Sequence, residues 1–312
     1  MKGNKTIIFS VITIVLVIGA CIGAFFYFTR EDKKEVAEEI SNEPIYTSSN
    51  FPKIDASTAT QPLARAFFKN FTGTSDENFE FNFTQTHQSY EKLIKGDVDL
   101  ILVTQPSEDE LALAKSKNVE LEVIPVVREG FVFYVNAKNP IDNLTVEQVQ
   151  GIYSGDITNW SKVGGEDIAI KPYQRPENSG SQTGMIELVM KDKKLMKPLT
   201  ENVVTSMAGI INLVSSYDNG NSSIGYSYYY YATTMYQTID KEVASNIKLI
   251  GINGVKPTSE TIKSGEYPFT TSYYIVINKA SDENSQARKL ANLMLSARGQ
   301  NTAKEAGYVP VK

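Results

Sequence analysis

Arg175 stands four residues ahead of Ser179-Gly180-Ser181, and the chain that follows reads as the opening of a helix. The first backbone N–H groups of a helix have no partner within it. Together with serine hydroxyls they form a cradle for an oxyanion. A nearby arginine adds a charge-assisted, bidentate grip. The chemistry expected of this spacing is therefore capture of a small tetrahedral anion. A plain serine-capped helix preceded by a surface arginine has the same local pattern, so the elements around it must decide.

The chain has 312 residues, 41% hydrophobic and 21% charged, which suits a folded protein of about two domains or lobes. Its formal net charge of −5, with no basic tract, argues against nucleic-acid binding. Local donors still outweigh distant, screened charge at an anion site. A single cysteine, Cys21, lies in the N-terminal apolar segment, so the rest of the chain has neither disulfide nor thiol chemistry. A single histidine, His87, removes any histidine-rich metal site. No metal or cofactor is expected.

Residues 7–28 form a charge-free apolar run long enough to cross a hydrocarbon core of ~30 Å. Lys2 and Lys5 before it favour a cytoplasmic N-terminus, residues 1–6. The run is longer than the apolar core of a cleaved signal peptide, so an uncleaved signal-anchor is expected. Ile18-Gly19-Ala20-Cys21 also resembles a lipobox, which would make Cys21 a lipidation site. Either way the body is tethered on the extracytoplasmic face of the cell membrane. Residues 29–44 are charged and lack apolar periodicity, as in a linker.

Beyond the linker, strand and helix patterns alternate, which points to α/β layers with a parallel sheet. Helical spacing runs through Pro62–Phe71, and Phe79–Phe83 alternates like a strand. Ser89–Lys95 and Glu108–Lys117 read as helices, and Leu100–Val103 as a buried strand. Leu121–Val127 and Gly130–Asn136 read as two further strands. Thr145 and Gln148 form a capping box. Ile168–Lys171 is a short strand delivering Arg175, and Met185–Met190 extends the helix behind the Ser-Gly-Ser turn. The tyrosine run Tyr226–Tyr231 reads as strand packing, with a stacking platform for a sugar or aromatic ligand as the alternative. A strand over Thr271–Asn278 and a helix over Glu283–Ser296 close the body.

With these segments in order, residues 50–312 resemble the phosphate-binding proteins of bacterial ABC phosphate importers. Arg175, Ser179, Gly180 and Ser181 carry the resemblance. Asp55-Ala56-Ser57-Thr58, Ile152–Gly155 with Asn159-Trp160, Ile224-Gly225-Tyr226 and the terminal Gly307–Pro310 support it. The resemblance implies a two-lobed periplasmic-binding-protein-like fold (type II) preceded by the N-terminal transmembrane helix. Lobe one would comprise residues 45–127 and 268–312, and lobe two residues 128–267. It implies inorganic phosphate or a similar oxyanion as ligand, an ABC permease as membrane partner and a monomeric body. It places Ser57, Thr58, Thr86, Arg175, Ser179, Gly180 and Ser181 around the anion. The family's aspartate should follow Leu100–Val103, but this chain has Thr104 there. Thr104 can donate or accept, so phosphate is expected to fit, while discrimination against sulfate is open. An anion-sensing or signalling ectodomain of the same fold is the alternative function. An enzyme is not expected, because no nucleophile has an identifiable base.

Overall fold

The structure is a computed structural model that describes residues 43–75, 79–216, 218 and 220–311. The expected span 7–28 with Cys21, residues 1–6 and residues 29–42 of the linker lie outside the described residues. Among the described residues no helix is long and apolar enough to cross a membrane.

Strand β1 (Ile54–Ala56) runs into a 3-10 turn at Thr58–Thr60 and then helix α1 (Gln61–Thr72). Leu63, Ala64, Phe67, Phe68 and Phe71 share one face of α1 and are buried, the spacing of an amphipathic helix. The helix ends at Gly73, whose φ of 65° is left-handed. Helix α2 (Thr86–Lys95) begins three residues earlier than the sequence pattern suggested. Strand β2 (Leu100–Val103) is buried throughout. Its Leu100 and Leu102 join the core that contains α1, while Ile101 and Val103 pack with Tyr90 and Leu93 on the other face. Successive side chains of a strand point to opposite faces, so this unbroken apolar run marks a strand covered on both sides. Helix α3 (Glu108–Ser116) follows, capped reciprocally by Ser107 and Glu110.

The expected strand at Phe79–Phe83 does not form. Phe79 and Phe81 instead pack on Phe68, and Arg65 lies over the Phe81 ring. Their alternation records burial of one side, not pairing with a neighbour.

Strand β3 (Leu121–Asn136) is one continuous element where the sequence suggested two. Leu121–Gly130 pairs antiparallel with the later strand over Thr270–Asn278, and the register shifts between Pro125 and Val127. Proline has no N–H for the ladder. From Phe131 onward β3 pairs with residues 224–228. One strand thus leaves one sheet region and enters another, as the two-lobed architecture requires.

The second region is built in chain order from β4 (Asn143–Leu144), α4 (Val146–Ser154) with its Thr145/Gln148 capping box, and β5 (Lys171–Pro172). Helix α5 (Gly180–Gly184) continues as a π-helical stretch through Met190, and α6 spans Met207–Ser215. Strand β6 (Ser223–Tyr228) pairs with both β3 and β5. Beyond a helical stretch, β7 (Ile247–Leu249) pairs with the other edge of β3, and β8 (Gly251–Ile252) pairs with β4. The chain then returns through β9 (Thr270–Asn278) to the first region and closes with β10 (Val309–Pro310) on β3. The sheet is mixed rather than parallel: β1–β2 and β5–β6 are parallel, whereas β2–β9, β3–β9 and β3–β6 are antiparallel. Long strands that go out and return between lobes must run in opposite directions.

Glu129 is buried at the point where β3 changes partners. Its Oε1 accepts from the backbone N–H of Gly130 at 2.8 Å and of Tyr230 at 3.2 Å. Burial pushes its carboxyl up to about 7, from an ordinary 4.5, against the opposing pull of those amides. Between these values the folded protein holds a proton that the unfolded chain releases. Stability therefore falls as pH rises from about 4.5 through 7 and is flat above. Glu129→Gln is expected to remove up to about 3 kcal/mol of that pH dependence, read from urea unfolding of residues 43–312 at several pH values.

Candidate functional site

Helix starts on both sides of a cleft converge on one cavity of about 270 Å3. From one side come Ser57 and Thr58 before α1, Thr86 and His87 at the start of α2, and Thr104 after β2. From the other come Arg175, Ser179, Gly180 and Ser181 before and within α5. Ser57, Thr58, Thr86, Thr104, Arg175, Ser179, Gly180 and Ser181 thus all line the same cavity. Among the described residues, no group of histidine, cysteine, aspartate and glutamate could hold a metal ion.

The first wall is fixed by Asp55. Its carboxylate is fully buried and accepts from the backbone N–H of Ala56 and Thr84 and from the Thr84 hydroxyl, and Lys92 Nζ lies 3.0 Å away. These bonds clip the segment before α2 against the end of β1, which brings Thr86 to the same cavity as Ser57. Ser57 N–H donates to Leu102 O, and the Ser57 and Thr60 hydroxyls are 2.9 Å apart. Tyr308, near the C-terminus, donates to Ala59 O.

The second wall is held by tyrosines. Arg175 N–H donates to Tyr226 Oη at 2.9 Å and to Gln182 Oε1 at 3.0 Å, and the Tyr226 hydroxyl donates to the same Gln182 oxygen. Tyr228 donates to Gly180 O at 2.9 Å. The tyrosine-rich run is therefore a brace for the arginine loop and for α5, with Tyr228 and Tyr231 also lining the cavity. It forms a strand only as far as Tyr228 and continues as helix.

The Arg175 guanidinium donates to Ser181 Oγ at 3.2 Å and to Thr205 O at 2.9 Å. Burial draws its pKa below the ordinary arginine value, opposed by the surrounding tyrosines. Its Nε is buried with no hydrogen-bond partner among the described residues, and so is Thr104 Oγ1. The Tyr228 hydroxyl lies beside Thr104 and gives its own proton to Gly180 O, so toward Thr104 it can act only as an acceptor, and Thr104 Oγ1 reaches no partner within hydrogen-bond geometry among the described residues. Buried polar atoms without partners cost free energy unless something else satisfies them. A tetrahedral oxyanion accepts from both kinds of donor.

The two walls touch. A Cβ placed on Gly180 would lie 2.5 Å from Thr104 Oγ1 and 2.8 Å from Thr86 Oγ1. Asn178 Nδ2 donates to Asp109 Oδ2 of α3 at 2.9 Å. A side chain at this position would push the walls apart, and the contact suits a closed cleft.

Sequence reasoning missed Thr205, Ser206 and Met207, which line the cavity at the start of α6. Ser206 Oγ accepts from Gly209 N–H, an ordinary serine cap. A serine directly before an apolar helical run was the available signal. Asp55 marks the first loop in the sequence, and its buried carboxylate is what positions the segment before α2.

A family sequence model described as "PBP superfamily domain" matches residues 47–298. The phosphate-binding protein PstS of Staphylococcus aureus (strain bovine RF122 / ET3-1) is 26% identical over 263 residues, covering 82% of this chain and 77% of that protein. Among solved structures, a protein described as a phosphate ABC transporter substrate-binding protein from Clostridium perfringens, with bound phosphate, superposes with a TM-score of 0.65. It is 21% identical and covers 83% of this chain and 98% of its own. An ABC-type phosphate transport receptor from Vibrio cholerae gives a TM-score of 0.61 at 23% identity, over 82% of this chain and 98% of its own. These structural likenesses establish the two-lobed fold.

Proposed function

We propose a function from the fact that this chain belongs to the PBP superfamily: it is an extracytoplasmic receptor that captures inorganic phosphate between two lobes and presents it to an ABC permease. The observation that carries this reading is the convergence of Arg175 and the helix start at Ser179–Ser181 on a cavity with an unpartnered Arg175 Nε and Thr104 Oγ1. The names of the Staphylococcus relative and of the Clostridium and Vibrio structures support phosphate over other oxyanions.

In this reading Arg175 supplies charge, and the amides and hydroxyls of Ser179, Gly180 and Ser181 supply donors from the second lobe. Ser57, Thr58, Thr86 and Thr104 supply donors from the first. Residues 45–127 and 268–312 form the first lobe, and residues 128–267 the second. The lobes close around the anion by flexing where β3 and β9 cross, and the anion favours the closed form by contacting both walls at once. No bond is made or broken. The body acts as a monomer.

The test is calorimetric titration of residues 43–312, stripped of ligand by unfolding and refolding. Saturable binding of phosphate, one per chain, is expected. A well-folded protein that binds no phosphate overturns the reading, and sulfate titrated next shows whether Thr104 permits a fully ionised anion.

Residues 7–28 anchor this receptor, with Lys2 and Lys5 on the cytoplasmic side. The full chain is expected in the membrane fraction, released only by detergent, with its intact mass retaining the N-terminal residues. A mass that begins at a lipid-modified Cys21 would replace the spanning helix with a lipid anchor.

A further inference from the structure

The only histidine of the chain, His87, lies in the first turn of α2 and lines the cavity. Its Nδ1 is 3.1 Å from Glu110 Oε1 on α3, and the Glu110 side chain is 1% exposed against 33% for His87. The other Glu110 oxygen accepts from Ser107 N–H at 2.8 Å. Nothing in the capture of an anion by Arg175 and helix starts calls for a buried carboxylate beside the cavity.

We propose that His87 and Glu110 act as one proton-binding pair that sets the affinity of the cavity for its oxyanion, so that binding tightens as the pair gains a proton. The inference rests on the reading that the cavity holds phosphate. Without a proton the pair carries one negative charge, which opposes an anion in a partly desolvated site. One proton cancels that charge, and a second makes the pair cationic. A bound anion favours the protonated forms, and by reciprocity protonation favours the bound anion. Phosphate capture through this pair takes up protons.

The carboxylates around the pair act in the same direction, and Arg175 across the cavity opposes them. On α3, Glu108 and Asp109 flank Glu110, and Glu187 behind α5 interacts electrostatically with Glu108 and Glu110. On α2, Lys92 is engaged with Asp55 of β1, so it does not neutralise the pair. The segment β2 carries no titratable side chain, β9 turns Tyr274 to this side of the sheet, and the buried Tyr90 of α2 interacts electrostatically with Glu110. Across the cavity stand Arg175 and the exposed Glu177. Burial pushes the Glu110 carboxyl up, against hydrogen bonds from Ser107 and His87.

The experiment is titration of the full chain in detergent with inorganic phosphate between about pH 5.5 and 8.5, the range in which histidine changes charge. The parent is compared with His87→Gln and Glu110→Gln. Parent and variant meet the same phosphate species, so the ratio of their Kd values cancels the ionisation of phosphate itself. The Kd ratio of His87→Gln to parent is expected to rise roughly tenfold from the alkaline to the acid end. Glu110→Gln keeps an acceptor for Ser107 but loses the charge, and is expected to bind phosphate more tightly than the parent at the alkaline end. A merely structural role for Glu110 would weaken binding instead. A Kd ratio for His87→Gln that is flat with pH, or weaker binding by folded Glu110→Gln throughout, overturns the inference while leaving phosphate capture standing. Absence of phosphate binding by the folded parent at every pH overturns the phosphate reading and this inference with it.

Discussion

Arg175→Ala is expected to raise the Kd for phosphate by roughly 100- to 10,000-fold. Two charge-assisted hydrogen bonds at about 1.5–3 kcal/mol each give that range, at about 1.4 kcal/mol per factor of ten. Its hydrogen bonds to Ser181 Oγ and Thr205 O hold the guanidinium in place at the cavity. Arg175→Lys keeps the charge but not the planar fork, so it should fall between parent and alanine variant. Calorimetry gives the affinities. Thermal unfolding separates binding from folding: phosphate should raise the Tm of the parent but not of Arg175→Ala. A variant that still binds within tenfold of the parent would remove Arg175 from the site.

Gly180→Ala tests closure. Alanine is a better helix residue than glycine by about 1 kcal/mol, and no left-handed backbone is needed at Gly180. The substitution should therefore leave the unliganded protein folded. The added methyl, however, meets Thr104 Oγ1 at 2.5 Å and Thr86 Oγ1 at 2.8 Å. Such overpacking costs about 1–3 kcal/mol, and here the cost falls on the closed form alone. The expected result is a Kd raised by roughly tenfold or more, with a larger radius of gyration in saturating phosphate than the parent shows. Thr104→Ala removes the nearer obstacle together with a donor. The double variant should consequently bind better than the two single losses would predict by addition. Strict additivity would mean that the two residues do not meet in the bound state.

The resemblance to phosphate receptors pointed to a pocket wall at Thr104 and to a loop at Thr86, and both hydroxyls lie in the cavity opposite Gly180. Local patterns were legible wherever a segment's own residues settle its shape. The apolar stripe of α1, the fully buried β2 and the Thr145/Gln148 cap are of this kind. The Phe79–Phe83 segment misled because period-two alternation reports which side is buried, and a strand also needs a neighbour to accept its hydrogen bonds. The parallel sheet was misjudged for a related reason. Strand direction is set by how the chain travels between lobes, which β3 and β9 do in opposite senses.

By itself, the sequence determined the chemistry on offer: one arginine before a serine-glycine-serine helix start, hydroxyl pairs at other helix starts, one histidine, and an apolar run 7–28 ahead of the body. Those depend on residue types and on spacings of a few positions, which backbone geometry converts directly into helix ends and exposed donors. Only the tertiary structure decided which of these donors share a cavity. Asp55 joins segments that lie far apart in sequence, Tyr226 and Tyr228 brace a loop from a distant strand, and α6 contributes Thr205–Met207. It also brought His87 to Glu110 across two helices. Contacts of this range depend on how sheets and helices pack, and no local pattern encodes the partner.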